Sequence, residues 1–313
     1  MTFFAMLFPG QGAQYIGMLS SFFDKHYIFK NTFDEASHHV GIDVLKLAKE
    51  GPKRTINTSK YTQVIILTAS VSIYRYWQQK NGKSPIFMSG HSLGEYSALV
   101  CSDVLKFSDA VKIVFLRGEL MQKSTIHRPT AMYAINGLEK KKVKNICSIF
   151  SNNNIVSLSS INSTTQIVIS GDKIAVQKAS IFCKKQGAKS IHNLNINIPA
   201  HCQLMRPISE KLRIILDKIT INPPIIPIIN NVDVKSETSK KNIIDALIRQ
   251  LYNPVRWKEI IDCMLSKNIF YMLEIGPNKI LTNINKKNKK ITTLSTNNFK
   301  NFLISFKKIN KRL

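Results

Sequence analysis

Short apolar runs alternate with longer helical patterns along this sequence, which predicts an α/β protein built around a sheet. Residues 3–8 (FFAMLF) and 85–89 (PIFMS) are strand-like, and each leads into a turn containing glycine. Residues 62–80 (TQVIILTASVSIYRYWQQK) are largely apolar and predict a long buried helix. Residues 107–123 predict another, with Ser108 as its N-cap. The rhythm changes over 131–194: strand 131–137, helix 138–150, strands 155–160 and 165–170, helix 172–187 and strand 188–195. That order, βαββαβ, is a ferredoxin-like unit, set between Arg128-Pro129 and Pro199 as an insert in a larger domain. The predicted division is a large α/β subdomain of residues 1–128 and 197–313 around a small subdomain of residues 129–196. After the insert, 221–233 (INPPIIPIINNVD) is an extended, proline-marked segment.

A chain of 313 residues can bury such a core, and 44% hydrophobic residues is ordinary for a folded protein. No apolar run approaches the roughly 18 residues that span a membrane. The N-terminal stretch lacks a basic region and a cleavage site, and Pro9 ends its apolar run, so it predicts a buried strand rather than a signal peptide. Five scattered cysteines without a C-x-x-C predict reduced thiols in a cytoplasmic protein, not a disulfide framework or a metal site. The net charge of +26 invites a nucleic-acid reading, but 36 of the 45 basic residues are lysine and only nine are arginine. They are spread along a chain also rich in isoleucine and asparagine, as biased base composition would produce. Charge concentrates only over 286–313, with nine Lys/Arg and no acid. That stretch predicts a solvated basic face and tail, or a surface that attracts an acidic partner.

The candidate chemistry begins at "SGHSLGEYSALV". Ser92 and Glu95 fit the S-x-x-E capping box, while Gly90-His91-Ser92-Leu93-Gly94 fits the strand-to-helix elbow that presents a nucleophile. A cap leaves the two glycines unexplained; an elbow requires them, because strand and helix then pack too closely for side chains. A serine nucleophile needs a base, and seven histidines compete. His38 and His39 lie in a polar helical stretch, and His91 is beside the serine with its side chain directed elsewhere. His201 follows a strand and a proline, at a loop end where catalytic groups are usually placed, or else packs a helix start. The acid that a hydrolase triad carries between serine and histidine does not stand out. "FPGQGAQ" (8–14) has neither Rossmann spacing nor a Walker lysine, and reads as a turn with free backbone donors. Arg117 shares a helical face with Ala110, Ile113, Val114 and Met121, so it needs an anion: a carboxylate such as Glu95 or Glu119, or a substrate's.

These stretches, together with "LTASVSIYRYWQQ", "RGELMQ", "INSTTQIVISG", "NNVDVKSET", "RQLYNPVRW" and "EIGPNKILT", closely resemble the malonyl-CoA:acyl carrier protein transacylases of bacterial fatty-acid synthesis, over about residues 3–282. The resemblance implies a hydrolase-like large subdomain with a parallel sheet and a ferredoxin-like insert. It implies that Ser92 is acylated and His201 is its base, and that Gln11 and Leu93 lend backbone N–H groups to the oxyanion. Arg117 would hold the malonyl carboxylate, and the Gln250 backbone carbonyl would orient His201 in place of a triad acid. It further implies malonyl-CoA as substrate, no cofactor or metal, and acidic acyl carrier protein as partner. A monomer without membrane or nucleic-acid binding is expected. Ala200 and Thr130 depart from residues usual in the family without removing a reacting group. Two rivals remain at this level: a serine thioesterase or esterase on the same elbow, and a non-enzymatic basic binding protein.

Overall fold

In the computed structural model, residues 3–23, 26–194 and 198–311 are described. Eight strands lie among them: β1 (Phe4–Phe8), β2 (Phe87–Gly90), β3 (Thr130–Asn136), β4 (Val156–Ser163), β5 (Gln166–Asp172), β6 (Ser190–Asn193), β7 (Tyr271–Glu274) and β8 (Thr292–Ser295). They form a parallel sheet, β2-β1-β7-β8, and a separate antiparallel sheet, β4-β5-β3-β6. β1 is buried on both faces, as a central parallel strand must be. Phe4, Met6 and Phe8 enter the main core, while Ala5 and Leu7 meet a second one around Trp257, Ile260 and Met272. The strand therefore has an unbroken apolar run instead of an alternation.

The helix Ser59–Gln79 runs through the main core and packs against the helix Phe107–Lys123. Ser108 is not the N-cap of the latter. Phe107 is buried and is drawn into the first turn, so the cap position falls to Lys106, whose side chain has nothing to accept a hydrogen bond with.

The antiparallel sheet has the strand order of a ferredoxin-like unit. Its faces alternate residue by residue along β3. Ala131 and Ile135 pack under the helices Lys140–Ile149 and Lys173–Lys185, while Met132 and Ala134 turn the other way with Val168. Several ties join it to the rest, among them those of Val255 and Arg128. Val255 donates its N–H to the Ser159 carbonyl at 2.9 Å and accepts from the Ile161 N–H at 2.8 Å. Arg128 grips both oxygens of Asp172 at 2.5 and 2.8 Å, which holds that carboxyl below the usual carboxylate range. The subdomain junction expected at 196/197, and residue 195 at the end of the last predicted strand, lie outside the described residues.

The basic stretch 286–313 is not a tail over its described part. β8 pairs with β7, and the helix Phe299–Lys311 sets Phe302 and Phe306 against Trp77 at 6.0 and 5.1 Å between ring centroids. Phe299, Phe302, Phe306 and Ile309 recur at helical spacing beneath the lysines, and that stripe drives the packing. Among the described residues no helix is long and apolar enough to cross a membrane.

Candidate active site

β2 stops at Gly90, the helix Gly94–Cys101 follows, and Ser92 stands on the turn between them with φ +55°. Few residues other than glycine adopt that conformation, and it turns the side chain out of both elements. The flanking glycines are required by contact: a Cβ on Gly94 would overlap the backbone of Phe8, and one on Gly90 would overlap Gly94 itself. Ser92 does not cap the helix. Leu93 takes the cap position without a side-chain bond, and Ser92 Oγ lies 2.7 Å from His201 Nε2.

His201 is buried and also has a left-handed backbone, φ +63°. Its Nδ1 is 2.6 Å from the Gln250 carbonyl. A carbonyl only accepts, so Nδ1 carries the proton and Nε2 is left to accept from the serine hydroxyl. The loop is held from both sides. The His201 N–H donates to the Leu251 carbonyl at 3.0 Å, and the Ala200 carbonyl accepts from the hydroxyls of Ser159 and Ser170, each at 2.9 Å. Burial, and next the Arg117 cation, push the imidazole pKa down to about 3, so His201 is neutral at neutral pH.

Both serine-side neighbours have free donors. Among the described residues, neither the Gln11 nor the Leu93 N–H makes a hydrogen bond. Gln11, Ser92 and His201 line one side of a cavity of about 350 Å³; Met132, Ala134 and Val168 of the antiparallel sheet line the other.

Arg117 is 1% exposed, and no carboxylate among the described residues forms an ion pair with it. Its Nη1 donates to Gln63 Oε1 at 2.8 Å, and Nη2 to Gln250 Oε1 at 3.2 Å. Nη2 also lies 3.5 Å from Ser92 Oγ, Nε has no hydrogen-bond partner among the described residues, and the guanidinium carbon stands over the Tyr96 ring. Burial lowers its pKa, yet a guanidinium remains a cation. Of the two carboxylates weighed from the sequence, Glu119 pairs with Lys123 at 3.2 Å, and Glu95 makes no direct hydrogen bond to Arg117: Gln250 bridges them, and their charges interact across that bridge. A buried cation with neutral acceptors, 3.5 Å from a serine hydroxyl, can receive a ligand's carboxylate.

The structure thus brings together Ser92, His201, Gln11, Leu93, Arg117 and Gln250, and it adds Asn231 and Gln63, which pattern did not single out, and Glu95, weighed from the sequence only as a capping residue or as the partner of Arg117. Asn231 Oδ1 accepts the Ser92 N–H at 2.7 Å and its Nδ2 holds the Gly90 carbonyl at 2.6 Å, so the extended segment braces the elbow. Glu95 is buried, which raises its pKa to about 7. Gln63 lies within the largely apolar helical run 62–80 and is not distinguished by that pattern. His91 turns away from Ser92 toward Asn162 Oδ1, 3.0 Å from its Nε2, and lies 5.5 Å from the Trp257 ring.

The sequence matches the acyl transferase domain family over residues 5–299. It is 57% identical to the malonyl CoA-acyl carrier protein transacylase of Buchnera aphidicola subsp. Schizaphis graminum, over 99% of this chain and 100% of that one. Identity to the protein of that name from Escherichia coli strain K12 is 46%, over 92% of this chain and 93% of that one. The fold superimposes with a TM-score of 0.96 on a malonyl-transacylase solved in complex with its holo type II PKS acyl-carrier protein, at 41% identity, covering 98% of this chain and 100% of that one.

Proposed function

The chain belongs to the acyl transferase domain family, among the malonyl CoA-acyl carrier protein transacylases, and from that premise we infer that its malonyl transfer runs through an ester on Ser92. It moves malonyl from CoA to the phosphopantetheine thiol of acyl carrier protein, the malonyl supply for fatty-acid synthesis. The observation that carries the Ser92 reading is the short chain of bonds from Ser92 Oγ through His201 to the Gln250 carbonyl, 2.7 and 2.6 Å.

In the first half-reaction His201 Nε2 takes the hydroxyl proton as Ser92 Oγ attacks the thioester carbonyl. The oxyanion is received by the N–H groups of Gln11 and Leu93, the latter at the positive end of a helix. Collapse breaks the C–S bond, and the CoA sulfur leaves with the proton held by His201. In the second half-reaction the carrier thiol gives its proton to His201 and attacks the ester. Collapse then returns the proton to Ser92 Oγ, so His201 ends neutral and no cofactor or metal is consumed. Arg117 holds the malonyl carboxylate; that negative charge also offsets the cation that weakens His201, so the carboxylated substrate strengthens its own base.

A second cavity of about 540 Å³ adjoins the first across Asn162 and Ile284; Lys287, Lys289 and Lys290 lie around it, with Lys258 paired to Asp262. This positive rim supports docking of an acidic carrier protein. The same reading includes a cytoplasmic monomer and the division into residues 1–128 with 197–313 and residues 129–196. Function is tested by following malonyl transfer to holo acyl carrier protein and malonate release together. Transfer outrunning hydrolysis is the expected result; equally fast malonate release without acceptor would identify a thioesterase.

A further inference from the structure

Glu95 sits in the first turn of the Gly94–Cys101 helix, buried, and takes no step in the reaction above. A carboxylate is unfavourable there unless its oxygens are bonded. One oxygen, Oε2, receives both the Asn231 N–H at 3.0 Å and Gln250 Nε2 at 2.8 Å. The same Gln250 nitrogen donates to the Ser92 carbonyl at 3.1 Å. The other end of that amide, Oε1, therefore faces Arg117 Nη2 at 3.2 Å. Asn231 Oδ1 lies 3.4 Å from Gln250 Nε2. Turned over, the amide would set its oxygen against these three acceptors, of which Glu95 Oε2 is the nearest, and its NH2 against the guanidinium, with no hydrogen bond on either side.

We propose that Glu95 is a positioning residue for carboxylate selection: by fixing which end of the Gln250 amide meets Arg117, it aims the guanidinium at Ser92 without neutralising it. A direct Glu95–Arg117 salt bridge would have to break whenever malonyl bound. The intervening amide instead supplies a neutral acceptor, matched by Gln63 on the opposite side at 2.8 Å, and the charge stays available to the ligand. The inference rests on the malonyl-transfer reading given above.

The test is Ser92 acylation by malonyl-CoA and by acetyl-CoA, with kcat and KM for each, in wild type, Glu95→Ala and Glu95→Gln. Glutamine keeps an oxygen where Oε2 lies and can accept both bonds. The malonyl-to-acetyl ratio of kcat/KM should fall about tenfold in Glu95→Ala, mainly through malonyl KM, the scale of one hydrogen bond to a charged group. Glu95→Gln should recover most of that ratio. Equal losses toward both substrates, an unchanged ratio, or no recovery in Glu95→Gln overturns the assignment. Should Glu95→Ala fail to fold, Gln250→Met serves, since it keeps the carbonyl that holds His201 and deletes only the amide. Its ratio must fall to the same extent, or the proposal is wrong. A folded wild type that forms no malonyl adduct would refute the transfer reading and this inference together; a normal adduct with an unchanged Glu95→Ala ratio refutes this inference alone.

Discussion

At the cleft the parallel sheet presents strand ends, and the antiparallel sheet presents a face. β1 and β2 run out of their ladder at Phe8 and Gly90, and the residues just beyond them include Gln11, Ser92 and Leu93. There the backbone has donors left over and can take up a conformation such as that of Ser92. Met132, Ala134 and Val168 project from paired strands whose own N–H and C=O groups are committed to the ladder. Strand ends therefore supply the serine hydroxyl, donors and strain, while a sheet face supplies shape. The same physics places ligands at the carboxyl ends of parallel strands in other α/β proteins. Among the connections that cross the divide, Ser159 and Ser170, from the antiparallel sheet, hold the carbonyl just before His201.

This division of labour can be broken from either side. On the chemical side, Arg117→Ala should lower the preference for malonyl-CoA over acetyl-CoA by about a hundredfold or more, because the pocket loses the cation that requires a carboxylate. The measurement is kcat/KM for both acyl donors, and retained malonyl preference would remove Arg117 from its role. On the wall side, Met132→Ala should raise KM by only about threefold and leave the acylated fraction of Ser92 intact, since it removes shape without touching a reacting group. A hundredfold fall in kcat from that substitution would mean that the antiparallel sheet does more than shape the cleft.

Local features were legible in the sequence where local physics decides them. The apolar run of β1, the buried helix around Val64–Tyr74 and the glycines around Ser92 follow from period and contact over a few residues. The βαββαβ order was legible for the same reason. His201 and Gln250 are 109 and 158 positions from Ser92, and no periodicity joins them; among seven histidines the loop-end position marked His201 as a candidate, and the family resemblance decided for it. The helical face of Arg117 revealed that it is buried, but not that Gln63 and Gln250, from other helices, would meet it. Asn231 was hidden in an extended segment because its partners, Gly90 and Ser92, are reached only by tertiary folding. Over 286–313 the conspicuous charge masked a hydrophobic stripe, and the stripe decided the structure.

The most direct test of the account is intact mass of the folded protein after mixing with malonyl-CoA, with peptide mapping of any adduct. The predicted result is one malonyl group on Ser92, lost when holo acyl carrier protein is added and absent from folded Ser92→Ala. No adduct on folded wild type, or an adduct that persists in Ser92→Ala, would contradict it.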